Sequence, residues 1–262
     1  MTGGESTVDA PRAVEDADAG LEVANPGETE APSPLKPLLA RSIAAVLLLG
    51  GQVVLALLFL VAQGQRLVFL IRLASGVAVA RADLVATASL ISLLASASLL
   101  MALPTGVAFL IWFHRAHRNL RSFRSGPFAF TPASAVGSFF IPFVNLVRPY
   151  EAMRELWQAT DPIVRPFDEG PHGLVPVGWL VPSWWLLFAG RAILSWFALF
   201  HSGSGRGSLD AAITTAWSLV AYHALTIPAA ATAIALVYLI ERRLDALAAS
   251  GSVGAPRLDS VA

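Results

Sequence analysis

From Phe109 to Thr160 the chain reads FLIWFHRAHRNLRSFRSGPFAFTPASAVGSFFIPFVNLVRPYEAMRELWQAT. A basic helix end runs into an uncharged apolar stretch broken by Pro127, Pro132 and Pro142, and then into a short amphipathic pattern. The middle stretch decides the fold. Its length from Gly126 to Val147 suits a membrane crossing, whereas its prolines, Gly137 and Asn145 suit a segment that enters the membrane and returns, or lies along it.

Composition places the whole chain in a bilayer. Apolar residues make up 55% and charged residues 14%, with a mean hydropathy of +0.64, values far from those of an ordinary soluble domain. The absence of cysteine excludes disulfides, thiolate nucleophiles and cysteine-ligated zinc or iron–sulfur centres. Lys36 is the only lysine amid many arginines, alanines and glycines, which points to a GC-rich bacterial source. The neutral overall charge conceals an acidic start: residues 1–35 carry Glu5, Asp9, Glu15, Asp16, Asp18, Glu22, Glu28 and Glu30 against Arg12. That stretch has too little apolar surface to offset the entropy of ordering, so it is expected to be a disordered tail, as is 248–262. No basic leader precedes the first apolar run, which is therefore expected to be a retained span.

About 20 apolar residues in a helix cross the hydrocarbon. The fold expected is an all-α polytopic membrane bundle over 36–247, with spans at about 38–63, 84–113, 175–200 and 211–240. A proline-broken re-entrant or interfacial segment occupies 126–147 and an amphipathic helix 149–160; the alternative has five spans. Leu67 to Ala80, punctuated by Arg72 and flanked by Arg66 and Arg81, is expected to lie along the interface with its arginines reaching headgroups.

The distribution of basic residues separates the two topologies. With four spans the inner side holds Lys36, Arg41, Arg115, Arg118, Arg121, Arg124, Arg148, Arg154, Arg165, Arg242 and Arg243, and the outer side only Arg66, Arg72, Arg81 and Arg206. With five spans the counts become seven inside and eight outside, and the positive-inside bias vanishes. Four spans with both termini cytoplasmic are thus the favoured reading, in a bacterial plasma membrane.

Arg115, Arg118 and Arg121 recur every three residues where the second span enters the cytoplasm. This basic stripe suits a positive-inside anchor or anionic headgroups. His114 and His117 lack a nearby third metal ligand. After Pro149, Met153, Leu156 and Trp157 share one helical face, opposite Glu151, Arg154 and Glu155. A Glu151/Glu155 pair at i, i+4 beside arginine reads as a solvated face rather than a catalytic pair. Arg191 and His223 lie inside spans, where a charge needs a partner or a wet cavity unless it reaches out to the interface. His223, Tyr222 and Thr226 near Pro228 fit either satisfaction of proline-freed backbone or a proton relay. Gly50, Gly51, Ala86, Ser89, Ser96 and Ser98 suit close helix packing. His201 and Ser202 fall in a Gly/Ser loop without catalytic specificity.

The runs Trp112-Phe113-His114-Arg115-Ala116-His117-Arg118-Asn119-Leu120, Phe130-Thr131-Pro132, Gly137 to Leu146, Arg148-Pro149-Tyr150 and Met153 to Trp157 resemble the DUF4328 family of bacterial membrane proteins. The resemblance covers about Leu84 to Ile240 and departs at His114 and His117, where tyrosine is common in the family. It implies a polytopic membrane protein of unknown function. Its motif positions Arg115, Arg118, Asn119, Pro132, Gly137, Pro142, Asn145, Arg148, Pro149, Tyr150, Glu155 and Trp157 become the candidate binding residues.

The sequence carries no zinc-protease, serine-hydrolase, phosphate-loop or dinucleotide fingerprint. The expectation is therefore a structural or regulatory membrane protein that interacts with lipid or a protein partner. A small-molecule binding or transport-like protein with its site around Asn145 is the alternative, and an intramembrane enzyme comes last. No cofactor, metal or nucleic acid is expected.

Overall fold

A computed structural model describes residues 39–124, 127–141, 143–161, 177–204 and 208–253, all within the unit Leu35–Ala262. Every regular element among them is helical: α1 (Leu39–Ala74), α2 (Arg81–Phe123), α3 (Pro132–Gly137), a 3-10 turn (Val144–Leu146), α4 (Arg148–Ala159), α5 (Leu180–Ser204) and α6 (Leu209–Val253). Four of these, α1, α2, α5 and α6, are long and apolar enough to cross a membrane. The 36, 43 and 45 residues of α1, α2 and α6 exceed what a crossing needs. At 1.5 Å per residue α2 is about 65 Å long, so it projects well beyond a hydrocarbon core of about 30 Å.

Contacts along the helices fix their directions. Gln52 of α1 reaches the Ser98 carbonyl of α2 at 3.4 Å, while Phe59 and Ala62 pack with Ile91 and Leu94, so α1 and α2 are antiparallel. Phe59 stacks on His223 of α6 at 3.9 Å, and Ser42 lies beside Glu241, so α1 and α6 are antiparallel too. Arg191 of α5 meets Thr226 of α6, and Val181 and Trp184 pack with Leu236 and Val237. The start of α1, the end of α2, the start of α5 and the end of α6 therefore share one end of the bundle. The short elements α3, the 3-10 turn and α4 close that end.

Burial changes character along the bundle. Midway, the buried apolar positions include Ala56, Ala62, Ala229, Ala230 and Ala233. Lipid tails solvate apolar side chains as well as a neighbouring helix does, so association there rests on close backbone approach. Gly51 marks a tight side-chain contact between α1 and α2, where a Cβ built on it would meet the Met101 sulfur at 2.8 Å, whereas Gly50 faces open space. At the closed end the buried residues are large, with Trp112, Phe113, Leu120, Met153, Leu156 and Trp184 in one cluster. The outward surface carries Leu47, Val61, Leu93, Leu99, Leu103 and Ile193, an exposed apolar belt that a soluble protein would not tolerate and a bilayer solvates.

Several boundaries differ from the sequence reading. Leu67 to Ala74 is not a separate interfacial stretch but the last turns of α1, because no breaker precedes Gly76; only Ser75–Ala80 leaves the helix. The C-terminal tail does not begin at 248, since helix-forming residues carry α6 to Val253. His201 and Ser202 are helical, as α5 runs to Ser204. Among the described residues of 126–147 there is no helix of spanning length; α3 has six residues and the 3-10 turn three. The tail 1–35, Gly126, Pro142, Arg165, Arg206 and 254–262 lie outside the described residues.

Leu156→Ala at the closed end is expected to cost about 2–5 kcal/mol. Leu99→Ala, at a position 75% exposed on the belt, should leave thermal unfolding of the purified protein in detergent almost unmoved. Equal losses would show that the large-residue cluster is not the stabilising core.

Candidate functional site

The closed end is assembled around backbone that prolines leave without helical partners. Pro127 to Phe130 runs as irregular chain before α3, so its N–H groups have no helical acceptors and find them elsewhere. Glu155 on α4 provides them: the Ala129 N–H donates to its Oε2 at 2.7 Å and the Phe130 N–H to its Oε1 at 3.3 Å. From the other side, Arg121 at the end of α2 donates to the Phe130 carbonyl at 2.7 Å and lays its guanidinium over the Phe128 ring. One short stretch is thus clamped by a carboxylate on its donors and a guanidinium on its acceptor.

Chain direction is then reset by a reciprocal cap. The Thr131 hydroxyl accepts from the Ser134 N–H at 3.0 Å and the Ser134 hydroxyl accepts from the Thr131 N–H at 2.8 Å, with Pro132 opening α3. Past α3, Phe143 holds a left-handed backbone with φ of 64°, a strained state for a side chain other than glycine. Phe140, Ile141, Phe143, Leu146 and Val147 all point outward, Phe143 being 86% exposed. The turn therefore presents an apolar tip.

Helix α4 sits inward on its apolar face, with Ala152, Met153, Leu156 and Trp157 buried. Its end is held from α6. Arg243 donates to the Trp157 carbonyl at 3.1 Å, places its guanidinium 4.0 Å from the Trp157 ring centroid and pairs with Asp161 at 3.4 Å. Arg124, the C-cap of α2, donates to the Asp161 carbonyl at 2.9 Å. Burial pulls the Arg124 guanidinium below the ordinary arginine range, with the Asp161 carboxylate acting in the opposite sense. Helices α2, α4 and α6 thereby converge on residues 157–161.

The remaining candidate residues divide by role. His117 is buried edge-on to Phe113, with a hydrogen bond to the Ala152 backbone, and Asn119 is buried on the same helix. Arg118 is exposed, and Arg115 is half-buried beside Arg41 of α1. Gly137 ends α3 with open space where a Cβ would stand. The Asn145 N–H closes a turn on the Ile141 carbonyl at 2.9 Å. Arg148 forms an exposed ion pair with Glu151 at 3.7 Å and lies over the Phe130 ring, while Tyr150 packs on the core and Pro149 is buried. An open depression there is lined by Phe143, Val144, Val147, Arg148 and Glu151; Asn145, Tyr150 and Glu155 are not on its walls.

Inside the bundle, Arg191 meets the Thr226 hydroxyl at 3.4 Å and stands over the Tyr222 ring at 5.2 Å, so it faces α6. Thr226 in turn donates to the Tyr222 carbonyl at 2.9 Å, and His223 is turned to Phe59. Among the described residues no group of three His, Asp or Glu is placed to hold a metal ion.

In the sequence Arg121 reads as part of the basic stripe, Arg124 and Arg243 only as positive-inside charges, and Asp161 only as the end of α4; the Thr131–Ser134 cap is not read there. The T-P-x-S spacing carried a signal for the cap. The arginine acceptors are backbone carbonyls, which leave no mark in a sequence.

Four helices of spanning length, an apolar belt and one end closed by a side-chain-clamped broken segment define a multi-span helical membrane-type protein. The chain belongs to DUF4328: the family described as "Domain of unknown function (DUF4328)" matches residues 72–242, from the last turns of α1 into the end of α6. Comparison with curated proteins and with solved structures gives no match.

Glu155→Gln retains the volume but loses the charge that accepts two backbone donors, and is expected to destabilise the closed end by about 1–3 kcal/mol. Hydrogen exchange should quicken at Ala129 and Phe130 while α5 amides stay protected. Unchanged exchange at those two amides would remove Glu155 from this role.

Proposed function

We propose that this chain is a structural or regulatory protein of the bacterial plasma membrane, with its closed end in the cytoplasm and its surface there engaging anionic lipid or a protein partner. It carries out no covalent chemistry on this reading. The single observation that supports it most is how the side chains at this end are used: Glu155 and Thr131 of the family runs, with Arg121 and Arg243 beside them, are bonded to the chain's own backbone. A catalytic site would instead aim a carboxylate or nucleophile into a shared cleft. The orientation rests on the basic residues clustered at the closed end, Arg41, Arg115, Arg118, Arg121, Arg148, Arg242 and Arg243 among them.

Orientation is tested in the cysteine-free background. Ser250→Cys, near the end of α6, should resist an impermeant thiol reagent in intact cells, and Ser75→Cys, at the α1–α2 turn, should label. The reverse pattern would invert the topology. The functional class is tested by thermal shift of the purified full chain against small polar metabolites: none is expected to stabilise it. A metabolite whose stabilisation is lost in Asn145→Ala would replace this reading with small-molecule binding.

A further inference from the structure

One groove at the closed end is unlike the rest of its surface. It lies between the start of α1, the face of α2 formed by Val107, Leu110, Ile111, His114 and Arg115, and Val136 of α3, and encloses about 390 Å³. Those α2 positions follow the i, i+3, i+4, i+7, i+8 spacing of a single helical face. Along that face the lining changes from wholly apolar to basic over about 10 Å. Arg41 reaches the basic end from α1.

Among the described residues the charges there have no acidic counterpart. No acidic residue is on the groove walls, and among the described residues neither Arg41, His114 nor Arg115 is in an ion pair. Arg115 feels the positive charges of Arg41 and Arg118, and its Nε is buried without a hydrogen-bond partner. Like charges gathered at a partly buried place are destabilising until an anion arrives. The second span expected from the sequence ends near Phe113, which sets the apolar half of the groove beside hydrocarbon and its basic half beyond it, so a ligand there must be anionic at one end and hydrocarbon at the other.

We infer that this groove binds one anionic phospholipid, with its phosphate between Arg41, His114 and Arg115 and an acyl chain along Val107, Leu110 and Ile111. The inference rests on the lipid-engaging part of the function proposed above and gives it a place. Arg121, though part of the same basic stripe, is not involved, because it already holds the Phe130 carbonyl. Arg41 precedes the family-matched residues 72–242, so the headgroup end is completed by a helix turn outside them.

The test is native mass spectrometry of the full-length protein in neutral detergent, titrated with phosphatidylglycerol against phosphatidylcholine. One phosphatidylglycerol should bind preferentially, and Arg41→Gln and Arg115→Gln should each weaken it about fivefold, the effect of one basic residue near an anionic surface. Arg118→Gln, the same charge change on the same helix but off the groove walls, should change it by less than about twofold. Should Arg115→Gln fail to fold, Arg41→Gln carries the charge test. Val107→Trp fills the apolar half and should weaken lipid binding without altering the charges. Equal losses in Arg41→Gln and Arg118→Gln would overturn the groove in favour of diffuse surface charge. Displacement of the lipid by inorganic phosphate, together with indifference to Val107→Trp, would overturn it in favour of a soluble anion. A preference for phosphatidylglycerol untouched by the groove variants would sink the groove alone; no preference in the unaltered protein would sink the lipid reading with it.

Discussion

The Glu155 carboxylate, accepting the N–H groups of Ala129 and Phe130, is the interaction on which the closed end depends. Proline prevents this stretch from continuing as helix, so its amides must find acceptors outside a helical ladder. A carboxylate from a separate helix solves the problem only if α4 is fixed in register with 127–130. That requirement explains the neighbouring contacts. Trp157 and Met153 anchor α4 inward, Arg243 fixes its last turn, and Arg121 secures the carbonyl beside the two amides.

Two solvents account for the division of the core. In hydrocarbon the helices gain little by hiding apolar side chains from one another, and alanine and glycine bring their backbones together. Where α2 and α6 emerge, water returns and with it the hydrophobic effect, so tryptophan, phenylalanine and leucine accumulate around α4. The protein is in this sense a bundle held by shape through its middle and by hydrophobic burial at one end. The polar clamps sit beside that wet core, where lost hydration can be replaced group by group.

Much of this is legible in the sequence, for specific reasons. Apolar length marks the four long helices, and the i, i+3, i+4 placement of Met153, Leu156 and Trp157 marks the inward face of α4. The end of α1 was misjudged because Arg66 and Arg72 resembled interface punctuation, although nothing before Gly76 breaks a helix. The Glu155 clamp escaped notice because a carboxylate at i+4 from Glu151 looks like any solvated pair, and its partners are amides 25 and 26 residues away. The groove was equally hidden. Its arginines come from helices joined only through the far end of the bundle, and periodicity along one helix does not reveal which residue of another lies alongside.

The tie between Arg243 and Trp157 also sets an order of events in synthesis. Its partners are 86 residues apart, and Arg243 lies near the end of α6. At ribosomal rates of about 5–20 residues per second, the broken segment and α4 therefore exist for roughly 4–17 s before the residue that locks them has been made. During that interval α2 is already available to cover the apolar face of α4, while the Trp157 carbonyl and ring lack the guanidinium that later meets both. The lock on the last turn of α4 is thus among the last contacts that synthesis makes possible.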